Sequence, residues 1–376
     1  MFFHLDNFEV YDTVRTTGNM DLTWLSKQYQ VLPVATPTNL RIQEWSGGRI
    51  GLGTVAATNG VRSIYLPVSS YLSEDVTTIN VTQRLLDYAP NGVASFGLSI
   101  VGLSVDNHIL SFGFNDLKNG FVTYVDAGGT VRVDPFTLAV SLTGSQDVIE
   151  WSFEKSSEDR NEYKPFILWV NNKPAYVGSV FCQVGAAAGL AVRVGGGVNS
   201  ALDGTTSSTG FVNRAGNVTI PKMGITDLVL NDGKRNGLVR VVSRAPEVDI
   251  GPNSMIPNVS TESNAALVGV IPPNATNHLT AVSASAAEMY GASAFPDLSS
   301  EAVLAYAVQV VGSKNNPFSL NLAGQIRSNG QTKEIGDLAV DLTPSFSQVI
   351  LDRNPATNLP WTALEANNSN FGVKVV

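Results

Sequence analysis

The acidic residues of the stretch Val148–Glu154 (VIEWSFE) form the clearest catalytic pattern in the sequence. The stretch alternates in polarity, which predicts a β-strand, and side chains four residues apart on a strand project from the same face. Glu150 and Glu154 would then share a face, and such a pair could supply the nucleophile and the general acid of a glycoside hydrolase. The structural alternative is that both glutamates lie on the solvent face of a sandwich strand whose other face buries Trp151 and Phe153.

One position of this pattern argues against hydrolysis. In concanavalin-type glucanases the corresponding strand has a sequence similar to E-x-D-x-E or E-x-D-x-x-E, with a central acid between the outer two. Ser152 stands at the central position in this sequence. We therefore favour the structural interpretation of Glu150 and Glu154 and keep a glycoside hydrolase as an alternative.

The other residue types that perform catalysis are isolated from one another. His4, His108 and His278 lie far apart and belong to no HExxH-type pattern, so we expect structural histidines. Cys182 is surrounded by apolar residues, which predicts a buried thiol rather than a nucleophile. No G-x-S-x-G motif is present, and no glycine-rich stretch carries the Lys-Ser/Thr pair of a phosphate-binding loop. The sequence predicts no enzyme activity, no catalytic residues and no cofactor.

Loop oxygens make a calcium site an alternative to consider, because calcium prefers carboxylate and amide ligands. The candidate loop positions are Asp126, Asp203-Gly204 and Asn231-Asp232-Gly233. None of them has the spacing of an EF-hand, so ordinary turns are the stronger explanation. We therefore predict no metal site.

Composition excludes several classes of protein. Only 15% of the 376 residues are charged, with 24 Lys+Arg against 32 Asp+Glu. Low charge argues against a helical bundle, and 43% hydrophobic residues argue against disorder. The net charge of −8 argues against nucleic-acid binding. The sequence contains no apolar window of about 20 residues, so we predict no membrane insertion. Asp6 and Glu9 lie where a signal peptide would have its apolar stretch, so we expect no signal peptide.

Short runs of alternating polarity, separated by turn-forming residues, dominate the chain and predict an all-β fold. The predicted strands are 62–67, 95–105, 108–114, 121–125, 130–133, 148–155, 166–170, 175–177, 190–194, 225–230, 238–242, 302–311, 318–327, 337–342, 346–351 and 371–376.

Local signals add turns, helices and a loop to this pattern. The sequence predicts a hairpin turn over 126–129 and a type I′ turn at Asn171-Asn172. It predicts short helices at 19–25 and at 361–366, the second with Thr362 and Glu365 as a capping box. A small, glycine-rich segment after residue 194 predicts a long exposed loop.

Two stretches resemble the concanavalin A-like (LamG/pentraxin-like) jelly rolls. They are Glu150–Phe153 and Phe166–Asn172 (FILWVNN), and together they are similar to a strand pair of that family. Asn172 replaces the glycine that the family usually has. The resemblance implies that residues 1–234 form a concanavalin-like β-sandwich.

A second stretch resembles virion structural proteins of tailed bacteriophages. Ile225–Gly233 (ITDLVLNDG) and Asn236–Val241 (NGLVRV) are similar to a segment of those proteins, with a departure at Leu238-Val239. The C-terminal third is similar to the same proteins through further short matches. The resemblance implies a structural role in a virion assembled in the host cytoplasm. It supplies no catalytic residues.

The two resemblances together predict the organisation and partners of the chain. Residues 235–376 are expected to form a smaller β-rich docking and assembly domain, in which 243–278 is an extended segment. The expected partners are other copies of the chain and other virion proteins, in the tail, baseplate or fibre. Alternatives are a head-decorating protein and a carbohydrate-binding module that binds a host surface glycan through Trp45, Tyr65 and Tyr71.

Overall fold

The structure is a computed structural model that describes residues 1–8, 29–32, 40–45, 49–54, 57–58, 63–68, 71, 78–88, 94–100, 107–114, 116–154, 162–182, 190–194, 219–220, 223–260, 263–270, 276–295, 301–315, 317 and 321–376. They fall into two compact units. The N-terminal unit contains Asp6–Phe8 and the described residues from there to Val241. The C-terminal unit contains Met1–Leu5 and the described residues from Val242 to Val376.

The strands up to residue 231 are β1 (Phe2–Asp6), β2 (Gln30–Leu32), β3 (Leu40–Trp45), β4 (Arg49–Thr54), β5 (Ala57–Thr58), β6 (Ser63–Pro67), β7 (Thr78–Leu86), β8 (Ala94–Ile100), β9 (Asn107–Phe114), β10 (Asn119–Val125), β11 (Val131–Thr137), β12 (Gln146–Glu154), β13 (Glu162–Val170), β14 (Lys173–Cys182), β15 (Leu190–Val194), β16 (Thr219–Ile220) and β17 (Met223–Asn231).

Two antiparallel sheets build the N-terminal unit. One has the strand order β14-β13-β12-β7-β17-β4-β3 and the other has the order β11-β10-β9-β8-β15-β6-β2. The short strands β5 and β16 pair with each other. The predicted all-β sandwich is therefore confirmed.

Aromatic side chains fill the space between the two sheets. The ring of Phe112 on β9 lies 5.8 Å from Trp151 on β12 and 5.7 Å from Phe166 on β13, measured between ring centroids. All three side chains are fully buried, and Phe153 is also buried. Burying one such side chain contributes about 1.5–3 kcal/mol to folding. The alternation in the VIEWSFE stretch therefore predicted the core face of β12 correctly.

The C-terminal unit is a second β-rich body. Its strands and helices from residue 248 are β18 (Val248–Asn253), β19 (Ile256–Pro257), α1 (Asn264–Val268), β20 (Leu279–Thr280), β21 (Ala287–Gly291), β22 (Tyr306–Gly312), β23 (Leu322–Ser328), β24 (Gln331–Leu338), β25 (Ser345–Leu351), α2 (Ala363–Asn368) and β26 (Asn370–Val375). One sheet has the order β18-β21-β26-β23-β24, and two further pairs are β19-β20 and β22-β25.

A separate apolar cluster stabilises the C-terminal unit. Tyr306 stacks on Trp361 with ring centroids 4.9 Å apart, and Ile326 is buried beside them. The guanidinium of Arg244 lies 4.6 Å from the ring centroid of Phe295. The same guanidinium donates to carbonyl oxygens at the C-terminal end of α2. Arg244 thus fixes α2 against this cluster soon after the chain enters the unit.

The structure differs from the prediction at two strands, one of which is absent and the other displaced. Residues 238–242 form no strand, because their backbone groups bond to side chains of the sandwich instead of to a neighbouring strand. The strand predicted at 337–342 lies earlier, as β24, because Asn329 and Gly330 form a tight turn with positive φ after β23. The predicted helix at 19–25 and the predicted loop after residue 194 lie outside the described residues. None of the helices in the described part of the chain has the length and hydropathy needed to cross a bilayer.

Candidate functional site

Glu150 on β12 is 2% exposed, and both of its oxygens are occupied. Oε1 accepts from the side-chain amide of Asn80 at 2.9 Å and from the backbone N–H of Asn236 at 2.6 Å. Oε2 accepts from the backbone N–H of Gly237 and from the guanidinium of Arg235, each at 3.2 Å. A buried carboxylate needs such partners, because leaving its charge unpaired is costly.

Three of the four partners of Glu150 belong to residues 234–241, which we call the linker segment. The guanidinium of Arg235 lies 4.5 Å from the ring centroid of Trp169 on β13, a favourable cation–π contact. Further along, the carbonyl oxygen of Val239 accepts from Arg84 on β7 at 2.8 Å. The linker segment therefore lies across β13, β12 and β7 on the sheet face opposite the sandwich core.

Asp227 holds the end of the linker segment. It lies at a β-bulge of β17 with a φ of +53° and is 1% exposed. Its Oδ2 pairs with Arg49 at 2.9 Å and with Arg84 at 2.7 Å, and its Oδ1 accepts from the backbone N–H of Val241 at 3.0 Å. Burial lowers the pKa of Arg49, which Asp227 partly offsets. The stretch that resembles phage proteins therefore contains this buried anchor.

The two glutamates of the VIEWSFE stretch have different surroundings. The side chain of Glu154 is 40% exposed and pairs with Lys164 at 3.3 Å. The predicted solvent-facing position is therefore confirmed for Glu154 and wrong for Glu150, because the linker segment covers Glu150. Sequence alternation identified the face but could not show that a distant part of the chain would cover it.

The aromatic residues predicted to bind sugar are not exposed together. Trp45 is 5% exposed, its Nε1 donates to the carbonyl oxygen of Gly51 at 3.1 Å, and its ring fills the space where a Cβ on Gly224 would lie. Tyr65 lies in the other sheet and is fully buried. Tyr71 is partly buried, and burial raises its pKa. The expected exposure is wrong for Trp45 and Tyr65, and a buried ring cannot stack on a sugar.

Tyr163 is the most exposed aromatic side chain of the described residues, at 51%. Its ring packs against the buried rings of Phe181, at 5.2 Å, and Tyr124, at 6.4 Å. The sequence did carry a signal for this residue. Tyr163 is out of phase with the buried side chains of Phe166 and Leu168 on β13, so strand alternation predicts an exposed side chain.

Polar groups with unused hydrogen-bonding capacity lie beside Tyr163. Arg132 on β11 stands directly opposite Tyr124, and its Nε donates to Asp126 at 2.6 Å. Its two terminal nitrogens have no partner among the described residues. One oxygen of Asp134 accepts from the hydroxyl of Tyr176 at 2.9 Å, and the other has no partner in the described part of the chain. We call Tyr163, Tyr124, Arg132 and Asp134 the Tyr163 surface.

The predicted structural role of His4 is supported. It is 1% exposed, and burial lowers its pKa to about 3, so it is neutral at pH 7. His278 lies in a turn in which its backbone N–H donates to the side chain of Asn258. The side chains of His108 and Cys182 lie outside the described ones.

The loop carboxylate of Asp126 is part of an ordinary turn. Its Oδ1 accepts from the backbone N–H groups of Gly128 and Thr130, each at 2.9 Å, and its Oδ2 pairs with Arg132. These hydrogen bonds lower the pKa of Asp126, that from Thr130 most strongly. The candidate Asp203-Gly204 lies outside the described residues. Within the described ranges, no group of three or more His, Cys, Asp or Glu side chains is placed to hold a metal ion.

No protein-family model and no curated protein sequence matches the chain. Among solved structures, it is similar to Trypanosoma rangeli sialidase in complex with sialic acid, at 17% identity and a TM-score of 0.32, covering 54% of this chain and 28% of that chain. It is similar to alginate lyase Aly36B, at 9% identity and a TM-score of 0.32, covering 63% of this chain and 98% of the lyase. It is also similar to the binding domain of Paraclostridial Mosquitocidal Protein 1, at 8% identity and a TM-score of 0.34, covering 63% of this chain and 50% of that domain. The chain thus spans about a quarter of the sialidase and half of that binding domain.

These similarities correct one expectation. The sequence predicted that the chain is not an enzyme, and two of the three similar structures are enzymes, a sialidase and a lyase. The prediction that the chain is not an enzyme is therefore wrong, because the lack of a sequence motif is no ground for excluding catalysis. The third structure is a binding domain. None of the three is a virion protein, so the resemblance to phage proteins stays a prediction.

Proposed function

We propose that this chain is a structural subunit of a bacteriophage virion, which assembles with other copies of itself and with other virion proteins in the tail, baseplate or fibre. The sequence resemblance of Ile225–Gly233 and Asn236–Val241 motivates this function. A role as a head-decorating protein would use the same assembly property, and it differs only in the place of the subunit in the virion.

The observation that carries the proposal is a concentration of exposed apolar side chains in the C-terminal unit. The described part of residues 248–282 contains seven large apolar side chains that are between 37% and 65% exposed: Val248, Ile250, Ile256, Val259, Val268, Val270 and Val282. Isolated apolar side chains are normal on a protein surface, whereas a contiguous group of them is typical of a protein interaction site. The strand β18, which carries the first two, is an edge strand of its sheet.

The linker segment supports the same function. Two buried carboxylates, Glu150 and Asp227, bind it from opposite ends. The chain therefore leaves the sandwich from a fixed position at Val241, immediately before the C-terminal unit begins. A subunit that joins a lattice benefits from a fixed exit point, because fewer conformations are lost on assembly.

Sedimentation velocity on the full chain tests the assembly. We expect an oligomer that a double variant, Ile256→Asp with Val282→Asp, shifts to smaller species, because two charges would enter an apolar interface. Leu359→Asp is the matched control, since Leu359 is 62% exposed and lies outside residues 248–282. Electron microscopy of virions labelled with an antibody to the chain tests the location. A monomer at all concentrations that is also absent from virions would refute the proposal.

A further inference from the structure

The Tyr163 surface has the chemistry of a carbohydrate-binding site. Its centre is an aromatic ring that is 51% exposed. The packing of Phe181 and Tyr124 against this ring holds it in one orientation. An aromatic ring fixed in this way offers an apolar platform at low entropic cost, and the C–H face of a pyranose can lie flat on it.

Hydrogen-bonding groups lie near the ring. The hydroxyl groups of Tyr163 and Tyr124 form no hydrogen bond with the described residues, and the two terminal nitrogens of Arg132 are unpaired in the same part of the chain. Asp134 keeps one oxygen as an acceptor. Donors and acceptors beside an apolar platform are the combination that orients a small polyhydroxylated ligand.

The position of Arg132 is also fixed. Its Nε is held by Asp126, whose carboxylate is itself held by the turn that follows β10. The hydrogen bond and the charge of Asp126 raise the pKa of Arg132, so its terminal nitrogens remain donors at every physiological pH. Arg132 and Asp134 lie two residues apart on β11 and therefore project from the same face.

We propose that the Tyr163 surface binds a neutral glycan, with one pyranose ring stacked on Tyr163 and its hydroxyl groups bonded to Arg132 and Asp134. The charge balance selects a neutral sugar, because the carboxylates of Asp126 and Asp134 outnumber the guanidinium of Arg132 and would repel an acidic sugar. This inference goes beyond the structural role proposed above, and it replaces Trp45 and Tyr65 as the residues of a glycan-binding surface.

A glycan array carrying neutral and acidic oligosaccharides, probed with the full chain, identifies the ligand. Titration calorimetry with the best neutral glycan then compares variants. We expect Tyr163→Ala to weaken binding at least tenfold and Tyr163→Phe to weaken it by less than about threefold, because phenylalanine keeps the platform. Arg132→Gln should weaken binding severalfold. Val177→Ala is the matched control, since Val177 is 72% exposed on the adjacent strand β14.

Several results would overturn the inference. They are no binding of any neutral glycan, binding of acidic glycans alone, or equal affinity of Tyr163→Ala and the unmodified chain. Circular dichroism of each variant shows whether the fold is retained. If Tyr163→Ala does not fold, the exposed side chain of Arg132 decides the outcome, and unchanged affinity in Arg132→Gln would then contradict the proposed site.

Discussion

The side chains of Glu150 and Glu154 leave β12 on the same side, but they differ in burial and in partners. Glu154 is partly exposed and bonds to one lysine, whereas Glu150 is buried and accepts hydrogen bonds from four residues. The sequence shows that both glutamates lie on the same side of the strand, but it does not show their burial or their partners. Which of the two carboxylates anchors the linker segment depends on residues more than 80 positions away, and periodicity contains no information about them.

This difference predicts unequal effects of matched substitutions. Glu150→Gln should lower the free energy of unfolding by about 2 kcal/mol, because the amide loses the charge that Arg235 pairs with and presents N–H groups to backbone donors. Glu154→Gln should lower it by less than about 0.5 kcal/mol, since an exposed ion pair contributes little. Urea denaturation followed by circular dichroism measures both values. Equal effects would show that Glu150 is not the anchor.

At the scale of elements, local signals were sufficient where a few neighbouring residues decide the structure. The predicted turn at Asn171-Asn172 is confirmed, with φ values of +47° and +64°. The predicted capping box is confirmed as well, because Thr362 is the N-cap of α2 and bonds reciprocally with Glu365. The turn at Asn329-Gly330 has an equally local signal, which would have placed β24 correctly.

The strand β7 (Thr78–Leu86) was not predicted, although it pairs with both β12 and β17 in the middle of its sheet. Its sequence, TINVTQRLL, alternates between polar and apolar residues from Thr78 to Thr82, and Gln83 interrupts the pattern where an apolar residue would be expected. The polar side chains on its outer face are buried by the linker segment. Asn80 bonds to Glu150 and to the carbonyl oxygen of Lys234, and Arg84 bonds to Asp227. The alternation could show two faces of the strand but not that a distant segment of the chain would bury the polar face.

The capping box provides a test at this scale. Thr362→Ala should destabilise α2 by about 1 kcal/mol, because it removes the side-chain oxygen that accepts from the backbone N–H of Glu365. Leu364→Ala is the control on the same helix, since Leu364 is 71% exposed and should change little. Hydrogen exchange of the α2 amides measures both effects. Equal exchange in the two variants would contradict a stabilising role of the capping box.

At the scale of the whole molecule, the chain has two units with separate cores. The aromatic core of the sandwich lies between its two sheets, and the cluster of Tyr306, Trp361 and Ile326 belongs to the C-terminal unit. Alternating polarity predicted the all-β fold, and the boundary expected from the sequence is 234/235. The linker segment binds to side chains of the sandwich, and the two units divide after Val241.

Separate cores predict localised responses to core substitutions. Ile326→Ala should lower the stability of the C-terminal unit by about 2–5 kcal/mol, because Ile326 is fully buried and its truncation leaves a cavity. Hydrogen exchange should then accelerate in residues 242–376 while β9, β12 and β13 keep their protection. Phe112→Ala should produce the reverse pattern, since Phe112 packs between the two sheets of the sandwich. If either substitution accelerates exchange equally in both units, they unfold as one cooperative body, and the description of the chain as two separately stabilised units is wrong.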